Sequence, residues 1–184
     1  MGSTAVQLEP SDPPAPTLSL VAALAVYEAV QSRLAQPQSV QLKWPNDVLL
    51  GHAKIAGILL ERTANCAVIG IGVNLGSAPM LPDRAAAHLA SVGPAPERDS
   101  FARDLAVTFE RELDRWRHFG LEPIIARWLA AAHPLGSPLS VHSPEGGRVG
   151  GSFGGLAPDG ALQLRLADGS LRVIHAGDVA LERN

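Results

Sequence analysis

The run Lys43-Trp44-Pro45-Asn46-Asp47 gathers a cation, an amide and a carboxylate, and a second cation, Lys54, follows shortly after. Proline withholds a ladder donor and Asn and Asp favour turns, so the chain must bend here with a bulky Trp beside the bend. Such a corner can aim Asn46 and Asp47 into one pocket, which Lys54 reaches across a hairpin. An ammonium, a carboxylate and an amide around one corner suit work on charged substrates, because a compact cation neutralises charge that builds up on transferring oxygens. A turn with a surface ion pair satisfies the same spacing. Composition singles out the cations again: Lys43 and Lys54 are the only lysines among 15 basic residues, the other 13 being Arg.

A second run, Gly70-Ile71-Gly72-Val73-Asn74-Leu75, opens like a dinucleotide fingerprint but has Leu75 where the last glycine belongs, and no helical pattern follows. A Rossmann reading fails there. Glycines inside an apolar strand mark close approach by a ligand or another backbone. Asn74 offers a donor and an acceptor, which suits a purine edge or a strand-end turn.

The elements that must carry these residues follow from pattern. A strand is expected over residues 2–8, then a proline-rich loop. A helix follows from Thr17, its expected N-cap, to about Ala35. Short β-rich runs at 40–43, 47–50, 54–62 and 67–75 read as an antiparallel meander, with Gly51-His52 as a tight turn. A Pro-, Ala- and Gly-containing stretch, 77–96, shows no periodicity beyond a turn near 85–90. A long helix capped by Asp99 or Ser100 runs to Gly120 with Phe101, Leu105, Phe109, Leu113 and Trp116 inward, and a shorter one spans 123–131. Beyond Pro134, four or five short strands separated by turns at 144–147, 158–160 and 168–169 suggest a small open barrel.

Composition bounds the function. The formal charge of −3 and pI near 6.0 leave no global basic surface for nucleic acid or anionic membrane. The single Cys66 excludes an internal disulfide and, with six scattered His, a zinc site. Met1 to Pro10 has no signal-peptide pattern and no apolar run is long enough to span a bilayer, so a cytoplasmic protein is expected.

The blocks Lys43-Trp44-Pro45-Asn46-Asp47, Lys54-Ile55-Ala56-Gly57-Ile58-Leu59-Leu60-Glu61 and Gly70-Ile71-Gly72-Val73-Asn74-Leu75, in this order and spacing, resemble the core of the biotin protein ligases. The resemblance implies an α+β fold: a mixed, mostly antiparallel sheet with helices on one face, of class II aminoacyl-tRNA synthetase-like type, followed by an SH3-like barrel. The catalytic domain would be 1–133 and the barrel 134–184. It implies ATP-dependent attachment of biotin to a lysine of a biotin carboxyl carrier domain through biotinyl-AMP, with biotin and ATP as substrates and Mg2+ accompanying ATP. Homodimerisation is compatible with it.

By the same resemblance Lys54 is the catalytic lysine, bridging the biotin carboxylate and the α-phosphate; Asp47 is, beside it, the candidate to accept a proton from the incoming lysine. Gly57, Gly70, Ile71 and Gly72 form the biotin floor with Lys54. Asn46, Asn74 and Lys43 serve the nucleotide, Asn74 through adenine, and Asn46 and Asp47 position nucleotide and metal. Arg183, at the chain end, is expected in solvent. The family also carries a GRGRxGR-type loop, with a strand and helix before it, upstream of the strand at 2–8; the 184 residues contain neither these nor a helix-turn-helix. Weak retention of an adenylate is therefore expected, with a non-catalytic biotin-, nucleotide- or carrier-binding module as the alternative function.

Overall fold

The computed structural model describes residues 1–34, 40–80, 85–142 and 147–182. Five strands, β1 (Gly2–Gln7), β2 (Val40–Lys43), β3 (Asp47–Leu50), β4 (Ala53–Thr63) and β5 (Cys66–Val73), form a sheet of order β1-β5-β4-β3-β2. A second sheet, of order β10-β6-β7-β8-β9, comprises β6 (Pro138–His142), β7 (Arg148–Leu156), β8 (Leu162–Arg165), β9 (Leu171–Ile174) and β10 (Asp178–Leu181). Every ladder in both sheets is antiparallel. The expected mixed sheet is corrected accordingly: the parallel pairings among the described residues are two isolated bridges, Leu42 with Ala132 and Lys54 with Ala86.

Three helices accompany the strands: α1 (Leu18–Gln31), α2 (Arg98–Phe119) and α3 (Glu122–Ala131). Helix α1 packs on β2 to β5, while α2 and α3 pack against α1. Lying between two layers, α1 is apolar almost all round, and its alanines Ala22, Ala23 and Ala25 are fully buried. A buried ionic cluster joins the three helices: Glu112 of α2, fully buried, pairs with Arg115 at 2.5 Å and with Arg127 of α3 at 3.1 Å, and Arg127 also pairs with Glu28 of α1.

Two helix starts differ from expectation. Thr17 caps nothing, because it ends a 3-10 turn, Ala15–Thr17, with its side chain buried: Oγ1 donates to the Pro14 carbonyl at 2.6 Å and accepts from Trp116 Nε1 at 2.8 Å. The cap of α2 is Glu97, whose carboxylate accepts from Asp99 N and Ser100 N at 2.8 and 2.7 Å. The 144–147 turn lies outside the described residues except for Gly147, and Ala35 and Arg183 lie outside them as well.

One apolar core serves both sheets, running from α1 and the first sheet into Leu139, Phe153, Leu162 and Val179 of the second. Trp44 and Trp128 lie at the join. Trp44 Nε1 donates to the Gly160 carbonyl at 3.2 Å, and the Trp128 ring meets Phe153 with centroids 6.5 Å apart.

Candidate active site

Strand register carries one row of residues across the first sheet. Lys43 pairs with Asp47, Asp47 with Gly57, and Gly57 with Gly72. Directly paired residues of antiparallel strands project from the same face. That face is turned away from the helices, since the alternating neighbours Leu42, Val48, Ile69 and Ile71 are buried in the core.

Lys54 joins the row through a fault in the ladder. Val48 pairs with Ala56 but Leu49 pairs with Lys54, so Ile55 is an extra residue. The bulge lets Ile55 and Ala56 both enter the core, and Lys54 and Gly57, which an unbroken strand would send to opposite faces, come to share the open one. Gly57 then decides where the lysine runs. A Cβ on Gly57 would lie 2.9 Å from both Cε and Nζ of Lys54. The lysine therefore crosses bare backbone, and its ammonium pairs with Asp47 Oδ1. Lys43 Nζ donates to Asp47 Oδ2 at 3.0 Å. The Asp47 side chain is 7% exposed, that of Lys43 13% and that of Lys54 29%, so a buried carboxylate holds two cations and the more accessible one is Lys54.

The corner before Asp47 is fixed by its own residues. The Trp44–Pro45 bond is cis. Asn46 clamps β4 twice: its side-chain amide donates to the Ile58 carbonyl at 2.7 Å, and its backbone carbonyl accepts from Ile58 N at 2.9 Å. Asn74 does similar work on the other side of Lys54. Its amide donates to the Ala87 carbonyl at 2.9 Å and, more weakly, to that of Lys54 at 3.5 Å. With Lys54 N donating to Ala85 O and Ala87 N to Lys54 O, both at 2.9 Å, this straps residues 85–87 along the Lys54 backbone.

The Lys43–Asp47–Lys54 cluster lines a cavity of about 890 Å³ also lined by Pro138, by β10 and by Glu182 after it. The acidic Asp178 and Glu182 line the same cavity, Glu182 being paired with Arg148. His133 lines it too; burial holds its pKa below the ordinary value, partly opposed by the Leu42 backbone. Among the described residues no three His, Cys, Asp or Glu side chains form a metal cage, and Asp47 already carries two ammonium groups. A resident metal does not fit this donor set.

The sequence-derived residues divide as follows. Lys43, Asp47, Lys54, Gly57 and Gly72 come together. Gly70 lies on the same face, paired with Leu59. Ile71 does not join them: its side chain points to the helix layer, is 8% exposed, and lines a different cavity of about 850 Å³ between β1 and α2. The amide donors of Asn46 and Asn74 are used on backbone carbonyls. Sequence reasoning missed the 85–87 strap, His133 and the acidic side of the cavity. No local pattern signals them, because each depends on a partner distant in sequence.

Comparison with known proteins places this arrangement. Residues 4–74 match the Biotin/lipoate A/B protein ligase family, and residues 135–181 match the Biotin protein ligase C terminal domain. The biotin–[acetyl-CoA-carboxylase] ligase of Paracoccus denitrificans is 36% identical over 176 residues, covering 88% of this chain and 71% of that protein. The chain belongs to the biotin protein ligase family. The corresponding ligase of Mycobacterium tuberculosis is 37% identical over 164 residues, again with 88% of this chain but 61% of its own length. The chain thus spans 61–71% of these two ligases. Among solved structures, the Aquifex aeolicus biotin protein ligase in complex with biotin and ATP superposes with a TM-score of 0.83 at 22% identity, over 99% of this chain and 77% of that one. Its fold is shared by this biotin protein ligase family member throughout.

Proposed function

We propose that this chain carries out ATP-dependent attachment of biotin to a lysine of a biotin carboxyl carrier domain, through biotinyl-AMP. The observation that carries this reading is the Lys54 ammonium, laid over Gly57 onto Asp47 at the edge of a large cavity. In the first step a biotin carboxylate oxygen bonds to the α-phosphorus of ATP and the bond to pyrophosphate breaks. Two anions must meet, and Lys54 leaves Asp47 to lie between them, stabilising the charge that accumulates. In the second step the carrier lysine's amine bonds to the acyl carbon, AMP departs, and the amine's proton goes to Asp47, freed on its Oδ1 side. Lys43 stays on Oδ2 and keeps the carboxylate oriented.

Gly57, Gly70 and Gly72 offer biotin a floor without side chains, to which Ile71 contributes backbone. Lys43 and the side-chain Oδ1 atoms of Asn46 and Asn74 serve the nucleotide, adenine falling to Asn74. The finer architecture belongs to the same reading: a class II aminoacyl-tRNA synthetase-like core over 1–133, and an SH3-like barrel over 134–184 built from the second sheet. So do a cytoplasmic setting and a homodimer, the latter supported by the edge position of β1 in the first sheet.

The test is transfer of labelled biotin to an unbiotinylated carrier domain by the parent chain and by Lys54→Ala. Transfer by the parent and loss in the variant is expected. Equal transfer by both refutes the role of Lys54. Retained ligand binding with no transfer by the parent selects the non-catalytic binding module instead.

A further inference from the structure

His133 lines the cavity as a buried ring held only weakly by polar groups, the Leu42 backbone being the one that favours its charged form. It is 4% exposed, and neither ring nitrogen has a hydrogen-bond partner. A buried polar group without a partner costs stability that an apolar side chain of similar shape would not. Its place in the fold is specific. The segment leaving α3 bridges to β2 at Ala132 and Leu42, which sets His133 beside Lys43, and the imidazole packs on Phe153 of β7 with ring centroids 4.3 Å apart. The ring is thus a wedge with the first sheet on one side, the second on the other and the lysine–carboxylate cluster along its rim.

We propose that His133 is a positioning residue: while neutral, its ring keys the second sheet onto β2 and so holds Lys43, and through Asp47 also Lys54, in working geometry; protonation releases that hold. The inference rests on the reading of the site given above. The charged and titratable groups around this cavity are Lys43 of β2, Asp47 of β3, His52 of the β3–β4 turn, Lys54 of β4, Asp178 of β10 and Glu182 just after it, the last paired with Arg148 of β7. The cluster of two lysines and one aspartate carries a net charge of about +1 before His133 titrates. An imidazolium in the wedge adds a cation next to Lys43, at a position only 4% exposed. The ring must then leave Phe153 for solvent, and the two sheets part at this joint. Burial of the ring opposes protonation most, the Leu42 backbone favours it, and the charge of Lys43 opposes it, with a net lowering of the pKa.

Two readouts on the full chain test it, one needing no turnover. Trp44 and Trp128 sit at the joint, whereas Trp116 is buried beside Thr17 within the helix layer. Tryptophan emission of the parent is expected to shift to longer wavelength between about pH 7.5 and about pH 5. In His133→Phe, which keeps an aromatic ring on Phe153, the shift is lost. Biotin-dependent ATP–pyrophosphate exchange supplies the second readout. The parent's kcat/KM is expected to fall about tenfold per pH unit below the transition, and this acid limb disappears in His133→Phe whatever its plateau. His133→Leu, with no ring nitrogens and less bulk, repeats both measurements should the Phe variant fold poorly. An emission shift or acid limb retained in the variants, or absent from the parent, overturns the inference. If the parent exchanges no pyrophosphate at any pH, the proposed function fails, and the emission data alone decide the role of His133.

Discussion

Gly57→Ala probes the chain of reasoning at its narrowest point. The new Cβ would lie 2.9 Å from Cε and Nζ of Lys54. Carbon contacts settle at roughly 3.5–4.0 Å, so the end of the lysine must move by about 0.6–1 Å or more, off Asp47. Little stability is at stake. The Lys54 side chain is 29% exposed, which limits its ion pair to about 0–1 kcal/mol, and alanine recovers about 0.4–1 kcal/mol by restricting the unfolded chain. Activity is another matter, since misplacing a reacting group by about 1 Å costs on the order of a hundredfold. Biotin-dependent pyrophosphate exchange should therefore fall about a hundredfold while the thermal midpoint stays within a few degrees. Gly70→Ala is the matched control: its Cβ meets only Leu59 at 3.8 Å, ordinary contact on the same face. Parental exchange in Gly57→Ala, or an equal loss in Gly70→Ala, would refute the claim that Gly57 exists to pass the lysine.

Four further outcomes follow from the same geometry. Asp47→Asn leaves two ammonium groups without their carboxylate; with Lys43 only 13% exposed, denaturant unfolding should show a loss of about 1–3 kcal/mol alongside loss of transfer. Asn74→Asp turns a donor into an acceptor facing the carbonyls of Lys54 and Ala87, which should cost about 1–3 kcal/mol and raise amide exchange at Ala87. Lys54→Arg should abolish biotin transfer, because a planar fork cannot replace a compact ammonium over Gly57, while Lys43→Arg should retain most of it by still reaching Asp47 Oδ2. Stability should fall as pH drops below about 6.5: burial lowers the His133 pKa in the folded state, so the unfolded chain takes up its proton first. A thermal midpoint independent of pH between about 7 and 5, or an equal slope in His133→Phe, would show that His133 carries no such linkage.

The sequence was most legible where one residue type can satisfy one local demand. Gly51-His52 between two β-rich runs reads as a tight turn, and the turn is there. The stripe on α2 falls inward at Phe101, Phe109 and Trp116. It was least legible where a side chain had two possible partners. Thr17 could cap a helix or bond Trp116, and burial against α2 chose the second. The amide of Asn74 could meet a purine or a backbone carbonyl, and the strap at 85–87 takes its donors. That strap lies in a stretch without periodicity because backbone hydrogen bonds hold it, and these leave no trace in side-chain type.

By itself, the sequence determined the inventory of the site: two lysines, an aspartate and strand glycines in three blocks, each on a short strand or a tight corner. Strand period and turn chemistry are local, so residue order suffices for them. The tertiary structure decided which of these residues meet. A single extra residue at Ile55 turns Lys54 to the face of Gly57 and Asp47, while unbroken alternation turns Ile71 away. Facing depends on register against a neighbouring strand, and register is set by pairing across the sheet, beyond the reach of any one segment's pattern.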